Sequence, residues 1–600
     1  MNEEFLIIKD NKNLKNQIGL SSSFQYVDEQ NAFYFKKSSS KNSSYSCDTK
    51  SGIFIFFDGF LIKNGTQKNS ENYSKKILDL YIKFGESFFN QLDGFFSFVI
   101  FDPSKNKIFL VCDHIGSEPL YFVKERDSIV ISSNIKQLKN ILKITEINKT
   151  RVNTFFQFIH AKNNETFFNT IKQVQNGQFV SIEKERIKAV DYLSYDTNKY
   201  NHLKSEEEYV YEFKKIFFNS VDSCIGIKSK KFGTALSGGL DSSSITAVAS
   251  EIRGEKLSAF TATFRNLIGS DLKKTYESNF SKDLANKHNI DHKIVPIVSN
   301  GAVSYLNSNI DKFDEPDLLI NGYIHEEIFK VLQKEEITLF LDGYGGDAVI
   351  SHGYNVLHEL GKNFQFSELF RQLGFLYAAN GAKLKYWKSV KEFIIQNHLP
   401  DYFHWIYRSN FGKTPQQIVW SKRLADKDLR SNIFKNLIDA YGFYPLKFKN
   451  SAKYIHENEM KNRLIGLSVR SIKKLAKNYN VDIRFPFLSK SLIELSLSTP
   501  TKFKLKDGVN RHIFRESMKS VLPNSIYHRT SKSDMSPFSR EEISKIEYDE
   551  IKILIKLYCP KLFNAKYIEN LFANSDNYMF ESFQIYSFIK WLSHNKYKIQ

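Results

Sequence analysis

The most constraining feature of the sequence is a short apolar run that leads through a glycine turn into a helical pattern, within residues 232–254. Residues 232–236 predict a buried strand, because the run is apolar and too short for a helix. Gly238 and Gly239 allow positive φ and bring backbone N–H groups close to a ligand. Apolar residues then recur at helical spacing up to Gly254, a C-terminal capping position. A strand, a glycine turn and a helix N-terminus together predict an anion-binding site.

The turn itself reads SGGLDSS over residues 237–243. It lacks the Gly-Lys-Ser/Thr ending of a Walker A loop, and it resembles the pyrophosphate loop of ATP pyrophosphatases, which cleave ATP between the α and β phosphates. The resemblance implies that Asp241 reaches Mg²⁺. The alternative is a helix cap in an ordinary strand–helix unit. The ATP-binding residues that the resemblance implies are Leu236, Ser237, Gly238, Gly239, Asp241, Ser242, Thr263 and Gly343.

Composition and charge exclude several other classes of protein. The 600 residues carry a formal net charge of +19, but the basic residues do not gather into one block and no zinc-finger or RRM signature occurs, so no nucleic-acid partner is predicted. No stretch reaches about 18 apolar residues, and no signal peptide is recognisable, so no membrane association is predicted. None of the four cysteines forms a C-x-x-C pair, which is typical of a cytoplasmic protein. The cysteines are Cys47, Cys112, Cys224 and Cys559.

Residues 1–195 predict a β-rich first domain, because short apolar runs alternate with turn residues. A helix is predicted at residues 71–84, before Gly85. The predicted strands lie at residues 5–8, 32–35, 53–57, 95–101, 107–111, 119–123, 129–132 and 178–182.

Two segments of this region, DGFFSF at residues 93–98 and DHIGSEPLY at residues 113–121, resemble the class II glutamine amidotransferase domain of asparagine synthetases. The resemblance implies an Ntn-type α/β/β/α sandwich. The glutaminase of that family uses a mature N-terminal cysteine, whose thiol and amine act as nucleophile and base. Here position 2 is Asn2 and the first cysteine is Cys47. We therefore expect a degenerate domain that does not hydrolyse glutamine and serves as a scaffold or binding surface.

Residues 196–600 alternate strand and helix patterns, which predicts a doubly wound parallel sheet with its ligand at the carboxyl ends of the strands. Helical spacing in residues 541–600 predicts added helices that close this domain. The expected fold class is therefore α/β overall. The resemblance implies an adenine nucleotide α-hydrolase-like, PP-loop domain.

A second candidate site is the stretch LFLDGYGGDAVISHG at residues 339–353. A buried strand leads into a loop with three glycines around Tyr344, followed by Asp347. Asp241 and Asp347 both follow strands of one predicted sheet, and paired carboxylates suit Mg²⁺, which prefers oxygen ligands and bridges to phosphate. The alternative is a turn with an N-capping aspartate.

A third cluster spans residues 480–537. The sequence RFPFLS resembles the R-x-P-F-L-D segment of asparagine synthetases, with Ser489 in place of the usual Asp. Arg511 and Arg515 lie four apart and are predicted to share a helix face. Lys532 matches the lysine of the family that reaches the α-phosphate, where a fixed cation would stabilise developing charge.

The Tyr344 loop departs from asparagine synthetases, which carry GEGAD where this chain has GYGGD. A tyrosine at that position resembles β-lactam synthetase, in which Tyr pairs with a Glu as the base that deprotonates an attacking amine. The overall plan also resembles lasso-peptide macrolactam cyclases. Glu359 and Glu368 are candidates for the partner of Tyr344, and the motif does not choose between them.

These features predict an ATP-dependent amide-forming ligase that works through an acyl-adenylate, with ATP and Mg²⁺ as cofactors. Ring closure within one peptide or amino-acid-derived substrate is favoured, because an amine on the same molecule gains effective concentration. Such a substrate, and a precursor-processing protease or leader-binding protein, are the expected partners. The alternatives are asparagine synthesis, a non-catalytic ATP-binding protein and a tRNA-modifying pyrophosphatase.

Overall fold

The computed structural model describes most of the chain. The described residues are 6–9, 25–28, 33–36, 43–62, 72–125, 128–156, 164–184, 186–226, 231–254, 257–264, 278–297, 301–351, 353–380, 386, 389–390, 393–394, 451–461, 464–529, 537–575 and 578–599.

The strands in these ranges are β1 (Leu6–Lys9), β2 (Gln25–Asp28), β3 (Phe33–Lys36), β4 (Ser43–Cys47), β5 (Phe54–Leu61), β6 (Gly94–Asp102), β7 (Lys107–Cys112), β8 (Tyr121–Glu125), β9 (Ser128–Ser132), β10 (Lys172–Gln173), β11 (Gln178–Glu183), β12 (Arg186–Asp191), β13 (Phe232–Ala235), β14 (Ser258–Phe264), β15 (Asp291–Ile297), β16 (Leu339–Leu341), β17 (Asp482–Arg484), β18 (Leu505–Lys506) and β19 (Val509–Asn510).

The α-helices in these ranges are α1 (Tyr73–Phe84), α2 (Ile135–Leu142), α3 (Lys149–Phe156), α4 (Glu206–Ile225), α5 (Leu240–Arg253), α6 (Ser278–Lys287), α7 (Ala302–Asn309), α8 (Gly322–Lys334), α9 (Gly346–Ile350), α10 (Asn355–Lys362), α11 (Phe366–Asn380), α12 (Ala452–Lys461), α13 (Leu464–Lys477), α14 (Lys490–Ser498), α15 (His512–Met518), α16 (Asn524–Tyr527), α17 (Pro537–Ser544), α18 (Tyr548–Tyr558), α19 (Ala565–Ala573) and α20 (Met579–Asn595).

The first part of the chain forms two stacked sheets flanked by helices. One sheet has the order β10-β8-β9-β1-β3-β2, and the other has the order β12-β11-β7-β6-β5-β4. Both faces of strand β6 are apolar because both are covered. Val99 and Phe101 pack between the sheets, whereas Phe98 and Ile100 pack under α1. Helices α2 and α3 cover the opposite sheet. The predicted α/β/β/α sandwich is confirmed.

The second part is built on a parallel sheet with the strand order β15-β14-β13-β16-β17. The chain starts in the middle at β13, runs outward to β15, and returns to the other side of β13 at β16. The direction of winding therefore reverses between β13 and β16, and ligands of such sheets bind at this point. The predicted doubly wound sheet is confirmed, and the helices that follow β17 are the added ones.

Local signals placed the helix ends well. Helix α1 ends at Gly85, and α4 begins after Ser205, whose hydroxyl accepts from the Glu208 N–H in a capping box. The short strands β2, β4 and β12 were not predicted, because their hydrophobic patterns are weak and pairing with neighbours defines them. In the described part of the chain, no helix has the length and hydropathy that a membrane span needs.

The two parts meet where the first caps a helix of the second. The Asp93 carboxylate accepts from the backbone N–H groups of Lys490 and Ser491, both at 2.9 Å. Ser489 precedes α14 at its N-terminal capping position, but its hydroxyl makes no capping bond. Asp93 therefore satisfies orphan donors of α14 from the other side of the interface.

We predict that Asp93→Ala lowers the free energy of unfolding by about 1–2 kcal/mol, because two helix N–H groups lose their acceptor. Urea titration measures the change. Asp79→Ala is the matched control, because Asp79 is exposed and pairs only with Lys75 in the described contacts, so its loss is expected to cost under about 0.5 kcal/mol. Equal effects of the two variants would contradict the capping role.

Candidate functional site

Two loops meet at the point where the parallel sheet reverses its winding. One connects β13 to α5, and the other connects β16 to α9. They approach so closely that a Cβ on Gly343 would lie 2.9 Å from the Ser242 nitrogen. The sheet thus brings together two segments that lie about a hundred residues apart in the sequence.

The SGGLDSS turn has the geometry of an anion site. Gly238 takes a φ of +76°, and Gly239 occupies the capping position of α5, where it offers no side chain to the first-turn N–H groups. The Ser242 hydroxyl accepts from the Ser237 N–H at 3.1 Å and lies 2.9 Å from the Ser237 hydroxyl. The turn is therefore rigid, and the positive end of α5 remains available to an anion.

The GYGGD loop packs directly on that turn. A Cβ on Gly346 would lie 2.6 Å from the Asp241 Cγ, so only glycine lets the two loops touch here. Gly345 adopts a φ of +89°, and the Leu488 side chain fills the space beside it. Asp347 follows in the first turn of α9. The glycines are therefore required by contact between the loops as well as by backbone conformation.

Arg511 joins the two predicted metal ligands. Its Nη1 lies 2.7 and 3.0 Å from the carboxylate oxygens of Asp241 and 2.8 Å from the Asp347 Oδ1. Arg511 is buried and has a left-handed φ of +53° at the capping position of α15. Two carboxylates this close repel each other unless a cation lies between them, and in this structure the guanidinium supplies the positive charge.

The residues present fit a divalent cation. Two carboxylates face one point beside a phosphate-type loop, and Mg²⁺ is held in just this way by one or two carboxylates together with substrate phosphates and water. In the described ranges no cluster of three or more metal-ligating side chains occurs. Asp241 and Asp347 would therefore hold the metal together with ATP.

Tyr344 is half-buried beside this pair of loops. Its hydroxyl pairs with that of Ser468, its ring packs edge-on against Phe485, and its N–H donates to the Asp342 carboxylate at 2.7 Å. Burial raises the pKa of Tyr344. The phenol is therefore protonated at neutral pH, which favours a role in orienting an amine over a role as base.

The two candidate partners of Tyr344 lie elsewhere. Glu359 and Glu368 both line a cavity of about 490 Å³ that also includes Glu206 and Lys506. Glu368 is paired with Arg371 at 2.8 Å. The structure therefore does not bring either glutamate into the described contacts of Tyr344.

The region of Leu236 and Thr263, which the sequence analysis assigned to ATP binding, includes a hydroxyl that the sequence did not single out. The Leu236 N–H donates to the Phe260 carbonyl at 2.9 Å, and the Thr261 hydroxyl donates to the Leu236 carbonyl. Thr261 also lies 2.8 Å from the His292 Nε2. Thr263 follows two residues later on the same face of β14 and is half-buried. The alternation of β14 was the only signal for Thr261.

The third cluster differs in part from expectation. Arg511 precedes α15 and does not share a helix face with Arg515, whose guanidinium donates to the carbonyls of Asn510 and Tyr527. Arg529 was missed, although its guanidinium donates to the Gly238 carbonyl at 2.9 Å in the turn. Lys532 lies outside the described residues, and its role stays a prediction.

His456 and Lys504 form a buried polar pair that contacts α9. Burial lowers the pKa of His456 to about 3, so the imidazole is neutral. Its Nε2 lies 2.9 Å from the Ala348 carbonyl and must carry the proton, and its Nδ1 accepts from Lys504 at 3.0 Å. This chain of bonds fixes the helix that carries Asp347.

Comparison with known proteins agrees with this geometry. Residues 212–593 match the asparagine synthase family, and residues 59–193 match the glutamine amidotransferase domain family. A glutamine-hydrolysing asparagine synthetase of Bacillus subtilis is 21% identical over 473 residues, which cover 77% of this chain and 70% of that protein.

Two further relatives carry names that differ from each other, one an asparagine synthetase and the other an amidase. A glutamine-hydrolysing asparagine synthetase of Methanocaldococcus jannaschii, named as putative, is 25% identical over 283 residues, which cover 46% of this chain and 53% of that protein. The amidase chyE of Penicillium rubens is 23% identical over 510 residues, which cover 77% of this chain and 72% of that protein.

We predict that Arg511→Gln lowers the free energy of unfolding by about 1–3 kcal/mol without Mg²⁺, because the two carboxylates lose their shared charge-assisted bonds. Added Mg²⁺ is expected to restore more stability to this variant than to the wild type. Thermal unfolding with and without millimolar MgCl₂ measures both effects.

Arg371→Gln is the matched control, since Arg371 also bridges two carboxylates, those of Glu368 and Asp507, but is half exposed. It is expected to change stability little and to show no extra response to Mg²⁺, because exposed ion pairs are screened by solvent. If Mg²⁺ stabilises Arg511→Gln no more than it stabilises Arg371→Gln, the inference that Arg511 and Mg²⁺ share one position is wrong.

Proposed function

The chain belongs to the asparagine synthetase family and is an ATP-dependent amide-forming ligase, and from this premise we propose a narrower function. The protein activates a carboxylate as an acyl-adenylate and joins it to an amine other than glutamine-derived ammonia. Ring closure within one substrate is the favoured form. The observation that carries the proposal is the meeting of Asp241 and Asp347 at one cation position beside the SGGLDSS turn.

The first step uses the glycine turn. A substrate carboxylate oxygen attacks the α-phosphorus of ATP, the bond from that phosphorus to the α–β bridging oxygen breaks, and pyrophosphate leaves. The N–H groups at the start of α5, with Ser237 and Ser242, bind the departing pyrophosphate. Bound Mg²⁺, held by Asp241 and Asp347, would neutralise phosphate charge. Leu236, Thr263 and Gly343 are assigned to nucleotide contacts, and Lys532 to the α-phosphate.

The second step uses Tyr344. The amine nitrogen attacks the acyl carbon and releases a proton to solvent, the bond from that carbon to the adenylate oxygen breaks, and AMP leaves. Since the Tyr344 phenol is protonated at neutral pH, we assign it to orienting the amine. A precisely held amine gains effective concentration, and most of all when it belongs to the same molecule as the acid.

The thiols support an amine source other than glutamine. Burial raises the pKa of Cys112 well above its ordinary value and that of Cys224 and Cys559 to about 12, so these thiols are poor nucleophiles. Cys47 is exposed and ends β4, where its nitrogen is part of a peptide bond rather than a free amine. None of the four cysteines carries a free α-amine, which acts as the base beside the thiol in the glutaminase reaction.

The main rival is asparagine synthesis from aspartate and ammonia, which the names of several relatives favour. It predicts AMP formation that depends on aspartate and ammonium. A non-catalytic protein would bind ATP and release no pyrophosphate. If the substrate is a peptide, a precursor-processing protease or leader-binding protein is a proposed partner.

We predict that the protein converts ATP to AMP and pyrophosphate in the presence of its acid substrate, and that Asp241→Ala slows this by on the order of 100-fold or more, because phosphate charge is no longer neutralised. Pyrophosphate release against a panel of acids, with mass spectrometry for loss of water, measures this. Asp549→Asn, an exposed change outside the site, is expected to leave the rate unchanged. Formation of ADP, or full activity of Asp241→Ala, would refute the mechanism.

We predict that glutamine supports no turnover and yields no glutamate, and that Cys47→Ser retains full activity. The physical reason is that none of the four cysteines carries a free α-amine. Glutamate is quantified by an enzyme-coupled assay during ATP consumption. Glutamate release in proportion to AMP formation would show that the first domain hydrolyses glutamine and would contradict this prediction.

A further inference from the structure

A partly open chamber of about 340 Å³ lies between the sandwich and the second part of the chain. Its walls come from the sandwich, from residues 313–319, and from one face of α13. The volume lies in the range of small-molecule pockets and far exceeds the needs of an ammonia molecule. The volume suits one amino-acid-sized ligand.

The chamber wall carries charges of both signs. Five cationic and four anionic side chains line it, and Glu118 pairs with Lys473 at its edge, so the charges balance. Charges are costly to bury unless they are matched by opposite charge or hydrogen bonds. A balanced wall of this kind suits a ligand that itself carries both charges and no net charge.

Two charged groups of the wall are oriented by hydrogen bonds to the backbone, and the charges of Arg151 and Arg470 also act on Glu315. The Arg470 Nη1 donates to the Gly116 carbonyl at 3.1 Å, and the Glu315 Oε1 accepts from the Phe167 N–H at 2.8 Å. Lys473 and Lys474, in contrast, are ion-paired with Glu118 and Asp314. Arg470 and Glu315 therefore offer an oriented guanidinium and an oriented carboxylate, which match the carboxylate and the ammonium of an amino acid.

One face of α13 links the chamber to the reacting centre. Leu464, Leu467, Ser468 and Ser471 follow helical spacing and all line the chamber. The Ser468 hydroxyl also pairs with that of Tyr344, which lies in the loop with Asp347. A side chain that lines the chamber thus contacts the residue assigned to orient the amine.

We propose that this chamber binds the amine-bearing substrate as a zwitterionic amino acid or amino-acid-derived molecule, with its carboxylate on Arg470 and its ammonium on Glu315. The inference rests on the proposed function and narrows it: it selects an amino-acid-derived substrate over a peptide. The first domain then serves as one wall of the amine site.

Calorimetric titration of the full-length protein tests this, with each of the twenty proteinogenic amino acids and with ammonium chloride as probes. At least one amino acid is expected to bind, and ammonium is not. Glu315→Gln is expected to weaken that binding at least tenfold, because it removes the charge but keeps the oxygen that accepts from Phe167. Asp311→Asn, an exposed change outside the chamber, is expected to bind like the wild type.

A second variant, Leu464→Trp, fills the chamber without changing its charge and is expected to abolish binding. If no amino acid binds the wild type, or if both chamber variants bind as tightly as the wild type, the proposal is overturned. Conversion of ATP to AMP is measured separately on the wild type. Amino-acid binding without any AMP formation would refute the ligase mechanism but would not refute the amino-acid site in the chamber.

Discussion

The site depends on one electrostatic constraint: two carboxylates from distant parts of the chain occupy the same small volume. Asp241 and Asp347 reach it from the ends of β13 and β16, and the Arg511 guanidinium holds them together. Without a cation, their repulsion would push the two loops apart and open the contact between Gly346 and Asp241. The same constraint makes the position suitable for a metal ion that arrives with phosphate.

The sequence predicted the local parts of this arrangement and missed the long-range ones. The strand, turn and helix of residues 232–254 were predictable, because glycine turns and apolar periodicity are local signals. The bridge by Arg511 was not, because the arginine comes from a segment more than 250 residues after Asp241 and lies outside the helix that its spacing suggested. Thr261 and Arg529 were missed because their partners are the backbone carbonyls of Leu236 and Gly238. Such contacts leave no side-chain pattern in the sequence.

The interface between the two parts explains what the sandwich motifs do structurally. Asp93, in the DGFFSF segment, caps α14. His114, in the DHIGSEPLY segment, binds the Leu488 carbonyl through its Nε2 at 2.6 Å. The Leu488 side chain in turn fills the space beside Gly345 in the loop that precedes Asp347. The motifs that resembled an amidotransferase thus brace the RFPFLS segment, which the resemblance alone did not show.

This bracing gives the sandwich a structural role that does not depend on glutaminase activity. Removal of the sandwich would leave the start of α14 without its acceptor. It would also release the Leu488 carbonyl from His114, and the Leu488 side chain contacts the GYGGD loop. Leu488 is fully buried, so its movement would leave a cavity beside Gly345. The spacing of Asp241 and Asp347 would then no longer be fixed from that side. The sandwich therefore has a geometric role, because it holds the segment that keeps both loops in contact.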